Sequence, residues 1–286
     1  MAGKISFITF FPEFVLCLIL FIYLEKKCWK TIKYLKLIYN LNSLVIVQVI
    51  HVFIIGGMES GIIGGKEAKP HSRPYMASIQ YINHHTCGGM LIRQDYVLTA
   101  DHFEVVLGAH NITKVEKSQQ RIPVMKFIQH PMFKQNKEED YSYDIMLLKL
   151  KNKAKLNKFV KVMPLPKKNG KTPANVKCYI AGWGLKTPKG EQASDVMQEV
   201  KLKLQFSFEC KNKWQHYFNS ERMICSVSDG KHAFCSGDSG SPLICNTKPQ
   251  GIASYTFNGD YTTYPQVYVK ISYFLPWIKK KIKMND

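Results

Sequence analysis

The chain has 286 residues, 45% of them hydrophobic, enough to bury a substantial core in one large domain or two smaller ones. With 40 Lys+Arg against 21 Asp+Glu the formal charge is +19, which favours polyanionic partners such as glycosaminoglycans (acidic proteoglycan among them), nucleic acid or anionic lipid, with a soluble basic surface as the alternative. The basic residues form no finger spacing, RRM signature or heptad-linked basic region, which excludes a nucleic-acid module.

The first 61 residues stand apart from the rest. "FVLCLILFIYL" (Phe14 to Leu24) is apolar, "EKKCWKTIKYLK" is basic, and "LVIVQVIHVFIIGG" (Leu44 to Gly57) is apolar again. Each apolar run is shorter than the roughly 18–20 residues of a spanning helix. The second run follows basic residues and ends in small ones, so it reads as a secretory h-region cleaved near Gly57. A signal anchor on the first run is the alternative, and membrane contact would then come only through an uncleaved leader. Residues 1–61 are read as leader with a short activation peptide, and 62–286 as the folded domain. Entry to the secretory route makes Cys87, Cys178, Cys210, Cys225, Cys235 and Cys245 candidates for disulfides.

From Ile62 onward, short apolar or alternating runs are separated by turn residues. "MASIQYI", "GGMLIRQDYVLTA", "EVVLGAH", "IPVMKFIQH", "DIMLLKL", "VKCYIAGWG", "EVKLKLQF", "GIASYTF" and "QVYVKI" predict strands, and their spacing predicts an all-β sandwich or barrel. "MPLPKKNGKTPAN" (Met163 to Asn175) is a Pro/Gly/Lys-rich connection between two groups of strands. Only the end looks helical: Leu275, Ile278 and Ile282 share one face, and Lys279, Lys280, Lys281 and Lys283 stay largely solvated. A docked C-terminal helix is expected, with a membrane-active amphipathic tail as the alternative.

"CSGDSGSPLIC" (Cys235 to Cys245) is the most specific string. A serine between glycines permits a tight turn, and the N–H groups of Gly237 and Ser239 can point at a developing oxyanion. The string resembles the nucleophile loop of chymotrypsin-like serine proteases, with Ser239 as nucleophile. "IIGGKEAKPHSRPYMASI" resembles their mature N-terminus, "DIMLLKL" the segment carrying the catalytic aspartate, and "AGWG" a core strand of the second barrel. Within the family, "PHSRPYMASIQY", "LGAHNITK" and "GDSGSPL" resemble granzymes, especially types A and K.

The resemblance implies two six-stranded Greek-key barrels packed together with a C-terminal α-helix. It implies disulfides Cys178–Cys245 and Cys210–Cys225, and leaves Cys87 and Cys235 without their usual partners. It also implies activation by a new Ile62 amine that pairs with Asp238. No basic residue precedes Ile62, but "MESG" after Gly57 is two dipeptides that a dipeptidyl peptidase would remove. In the family's triad a histidine takes the serine proton while an aspartate holds the imidazole. Asp144 and Ser239 match their motifs; the histidine segment, "TADHFEVVLGAH", is about five residues short.

Two alignments are open there. In one, His102 is the base, with Asp101 and Phe103 in place of the usual Ala and Cys. In the other, the gap removes histidine and cysteine together and "DHFEVV" belongs to the next strand, which keeps "EVVLGAH" in register. The pocket is expected to involve Ala233, Phe234, Ser254, Tyr255, Thr256 and Gln266. Ala233 stands where tryptic members carry aspartate, so an uncharged pocket for small or medium apolar residues is expected.

"NIT" makes Asn111 an N-glycosylation sequon. "HH" at His84-His85 has no acidic or cysteine partner at ligand spacing and reads as a surface pair, so neither metal nor cofactor is expected. The reading is a secreted or granule-stored, granzyme-like serine endopeptidase that acts on proteins or peptides through an acyl-enzyme on Ser239. The alternative is a catalytically inactive cationic homologue that acts by binding.

Overall fold

The alternating runs do form strands, because β-branched and aromatic side chains suit a pleated, half-buried surface. The computed structural model describes residues 62–100, 103–133, 140–166, 173–185, 187, 192–257, 260 and 262–285. The leader reading and His102 lie outside the described residues.

The first sheet contains β2 (Met76–Tyr81), β3 (His84–Arg93), β4 (Tyr96–Thr99), β5 (Glu104–Leu107), β6 (Gln120–Ile122), β7 (Val124–Gln129) and β8 (Met146–Leu150). Their order is β6-β5-β2-β3-β4-β8-β7. The second contains β1 (Lys66–Glu67), β9 (Lys177–Gly182), β10 (Gln198–Lys203), β11 (Met223–Cys225), β12 (Pro242–Cys245), β13 (Lys248–Tyr255) and β14 (Val267–Lys270), in the order β1-β10-β9-β12-β13-β14-β11. The mostly-β, two-sheet architecture expected from sequence is present. Among the described residues each sheet has seven strands rather than six, the two-residue β1 included. β12 was hidden in sequence inside the glycine-serine string.

Each lobe has its own core. Ala77, Ile79, Leu91, Val97, Val105 and Leu107 pack in the first, and Ile180, Val200, Leu202, Leu243, Ala253 and Tyr268 in the second. A third cluster joins Met90, Tyr96 and Leu98 of the first sheet to Ile252 and Val269 of the second, closed by the C-terminal helix. That helix is not a free tail: its apolar stripe is docked, Lys279, Lys280 and Lys283 are exposed, and Lys281 is half-buried.

One helix was missed. α1 (Ser207–Trp214) precedes the terminal α2 (Ile271–Met284) and corrects the expectation that only the chain's end is helical. α1 buries only Cys210 and Trp214, one contact per turn, so its sequence shows no apolar stripe. Tertiary ties hold it instead: the Cys210–Cys225 disulfide and a bond from Trp214 Nε1 to the Pro265 carbonyl (2.8 Å). The Cys178–Cys245 bridge links a directly opposed pair on β9 and β12. Both disulfides match those implied by resemblance. Cys235 is a buried free thiol, and Cys87 lies outside both bridges.

Phe274 on α2 is 1% exposed in the cluster that joins the lobes. Phe274→Ala should lower unfolding stability by about 3–5 kcal/mol in urea titration, whereas Lys279→Ala, on the exposed face, should change it by about 0.5 kcal/mol or less.

Candidate functional site

The loop from Cys235 to Ser241 is fixed from three sides. The Ser239 carbonyl accepts from Gly88 N–H of the first lobe (2.9 Å). Gly240 N–H donates to the Ala253 carbonyl on β13 (2.8 Å), and Leu185 N–H to the Ser236 carbonyl (2.7 Å). Gly237 has φ +91°, a left-handed conformation that favours glycine. Among the described residues, the N–H groups of Gly237 and Ser239 have no acceptor. They form a pair of uncommitted donors beside the Ser239 hydroxyl.

Ser254, at the end of β13, touches both other residues of interest. Its hydroxyl donates to Asp144 Oδ2 (2.8 Å), and its carbonyl accepts from the Ser239 hydroxyl (3.5 Å). Asp144 directly follows a 3₁₀ turn, Tyr141–Tyr143, whose N-cap Asp140 accepts from Ser142 N–H; this sets Asp144 at the entry to β8. Ser254 therefore bridges the two positions that sequence reasoning placed in separate motifs.

His102 lies outside the described residues, but its frame is clear. Only residues 100–103 separate Thr99, the last residue of β4, from Glu104, the first of β5. β5 pairs with β2 through Val105↔Ile79 and Val106↔Ser78, so "EVVL" is in regular ladder register. Phe103 packs on the first-lobe core and on Tyr81 (ring centroids 4.7 Å apart).

Asp238 is fully buried. It accepts from Gly184 N–H and Cys235 N–H (both 2.9 Å), and burial still pushes its carboxyl up to about 7. Gly182 and Gly184 of "AGWG" have a steric role here, because a Cβ on either would collide with this carboxylate. Ile62 is fully buried in the second-lobe core with Phe234, and Ile63 bridges Ala233.

His85 corrects the surface-pair reading: His84 is exposed, but His85 is half-buried, with its ring against Trp183. Its Nε2 meets the Gly237 carbonyl (2.9 Å), which only accepts, so Nε2 carries the proton and Nδ1 accepts from the Ser78 hydroxyl (2.8 Å). Gln80 Nε2 donates to Ser78 Oγ (3.1 Å) and Arg121 donates to Gln80 Oε1 (2.9 Å). This chain holds the Gly237 peptide by its carbonyl. Sequence reasoning missed it because "HH" on a strand has no distinguishing spacing. Alternation on β3, which turns neighbours to opposite faces, was the available signal.

The pocket residues are close-set. Ala233 is fully buried, and Phe234 packs on Tyr268 (5.4 Å). The Gln266 amide clamps the Phe234 backbone, accepting from its N–H (3.1 Å) and donating to its carbonyl (3.0 Å). Tyr255 donates to the Tyr217 carbonyl (2.7 Å) and packs on Trp214 and Tyr141; burial raises its phenol well above the usual range. Thr256 is half-buried beside it. Asn111 is elsewhere, in a turn where its Oδ1 accepts from the N–H and hydroxyl of Thr113. Among the described residues no three His, Cys, Asp or Glu side chains converge as metal ligands.

Two β lobes with a serine, an aspartate and two free backbone N–H groups gathered at one loop define the serine-protease class of scaffold. The chain belongs to the trypsin family, whose model matches residues 62–278. It is similar to granzyme B of Rattus norvegicus, 47% identical over 234 residues that cover 78% of this chain and 92% of that protein. Granzyme B and granzyme H of Homo sapiens are 43% and 42% identical over 232 residues, 78% of this chain and 91% of each. The likeness to types A and K rests on the short strings quoted above.

Burial lowers the His85 imidazole from 6.5 to about 4, opposed in part by its bond to Gly237. The unfolded chain therefore takes up a proton that the folded chain refuses. Stability from this group is complete above pH 6.5 and is lost as pH falls towards 4, by about 2–3 kcal/mol at ~1.4 kcal/mol per pH unit. In urea unfolding at pH 4–7.5, His85→Gln should flatten the stability profile by that amount across this window.

Proposed function

We propose that this chain is a secreted or granule-stored serine endopeptidase that cleaves proteins or peptides through an acyl-enzyme on Ser239. The observation that carries the reading is the bridge of Ser254 to both Asp144 and Ser239, beside the uncommitted N–H groups of Gly237 and Ser239. In this mechanism the Ser239 hydroxyl attacks the scissile carbonyl, His102 takes its proton, and Asp144 holds the imidazolium. The two N–H groups receive the oxyanion.

Activation follows from Asp238. A buried carboxylate is costly to ionise without a cationic partner. Removal of the 1–61 segment, its last step the loss of Met58-Glu59 and Ser60-Gly61, supplies one as the Ile62 amine. The uncharged lining at Ala233 and the spent amide of Gln266 favour small or medium apolar residues before the scissile bond. The sequon at Asn111 is proposed as a glycosylation site, and the basic surface as suited to storage on acidic proteoglycan.

A second reading rests on the residues 100–103 connection. If that segment has lost the base, the chain is an inactive homologue that acts by binding.

A fluorophosphonate probe separates the two. Correctly processed protein with Ile62 at its terminus should label at Ser239, and Ser239→Ala and His102→Ala should each abolish labelling. Absence of label on correctly processed wild-type protein would overturn the peptidase reading and favour the inactive homologue. Labelling that survives His102→Ala would remove His102 from the mechanism.

Two further outcomes are expected. Asp238→Asn should cut labelling by about tenfold or more, since it removes the charge the new terminus meets. In a peptide library, cleavage after Ala or Val should exceed cleavage after Arg or Lys by about a hundredfold or more, because an unpaired buried cation costs several kcal/mol.

A further inference from the structure

The outer face of β9 and β10 carries three lysines, of which Lys201 lies over the Tyr179 ring (5.7 Å). Residues two apart on a strand share a face, and directly paired residues lie side by side. Lys201 and Lys203 of β10 therefore point outward together, and the register sets Lys203 opposite Lys177 of β9 and Lys201 opposite Tyr179. All three lysines are exposed. Like charges directly opposed on a ladder destabilise it, so the Lys177↔Lys203 pair works against the fold. Glu199, the acid on the same face of β10, is already taken by Arg73 (2.9 Å).

Three residues beyond Lys203 the chain presents Phe206 and Phe208, 47% and 62% exposed, with ring centroids 5.7 Å apart. Phe206 stands at the N-cap position of α1 and Phe208 in its first turn, so both follow closely on the end of β10, with Glu209 the acid of that turn. Two large apolar rings side by side in water, close in sequence to lysines that have no acidic partner among the described residues, match a surface that is negative at its boundary and apolar just beneath. A sulfated polysaccharide would satisfy the lysines and leave both rings in water.

We infer that this face docks on an anionic phospholipid bilayer. Lys177, Lys201 and Lys203 meet the headgroups, and Phe206 and Phe208 insert at the boundary with the acyl chains. Surface lysines draw a protein to anionic lipid, and aromatic burial at the interface holds it there. Membrane contact would then not be confined to an uncleaved leader. The docking needs neither Ser239 nor His102, so it stands or fails separately from the proposed peptidase activity.

Hydrogen–deuterium exchange of the full chain reads the contact locally, whatever the leader does. With phosphatidylserine-containing vesicles, the segment from Lys201 to Lys211 should exchange more slowly, and pure phosphatidylcholine vesicles should give no such protection. Lys201→Gln/Lys203→Gln should weaken the vesicle-dependent protection by about tenfold or more in the lipid concentration required. Phe206→Ser/Phe208→Ser should weaken it comparably, while circular dichroism shows both variants folded. Equal protection by heparin, unaffected by the phenylalanine changes, would replace the bilayer with a soluble polyanion and overturn the inference. Absence of protection at this segment with anionic vesicles would also overturn it.

Discussion

The carboxylate of Asp238 is the constraint on which the candidate site depends. It is fully buried in the second lobe, where among the described residues it accepts from two backbone donors, Gly184 N–H and Cys235 N–H. The first ties the Ser239 loop to the residues just after β9 and the second closes the loop on itself, and the closeness of the carboxylate explains why "AGWG" must be glycine on both sides of its tryptophan. Burial at this point holds the carboxyl near neutrality, so the loop's geometry and its charge state are one problem. Whatever cation reaches Asp238 acts on Gly237 and Ser239, its neighbours in sequence.

The same loop is gripped from the other lobe. Gly88 holds the Ser239 carbonyl, and His85 holds the Gly237 carbonyl. Both residues lie on β3, so a single strand of the first sheet anchors the peptide units that follow Gly237 and Ser239 in the second-lobe loop. Ser254 completes the arrangement from β13 by joining Asp144, which enters from β8, to Ser239. The site is thus assembled from three strands and one loop that lie far apart along the chain.

Much of the fold was legible because its signals are local. Alternation in "MASIQY" or "VKCYIAG" follows from the period of a strand, and the stripe Leu275, Ile278 and Ile282 follows from the period of a helix. α1 was not legible, since its stability comes from a disulfide and a tryptophan bond rather than from its own pattern. Ser239 and Asp144 were legible through their motifs. Gln266 was found, but not its use: its amide is spent on the Phe234 backbone, a partner 32 positions away in sequence.

By itself the sequence determined the all-β class, the two lobes, the docked terminal helix, the disulfide pairs by resemblance, and the residues that mark the trypsin family. Those features rest on periodicity and on short contiguous strings. Only the tertiary structure decided that His85 turns inward to Gly237 while His84 is exposed, that Ser254 joins Asp144 to Ser239, and that Lys177 stands opposite Lys203. Burial, hydrogen-bond direction and strand register belong to pairs of residues brought together from distant segments, and no single stretch of chain encodes them.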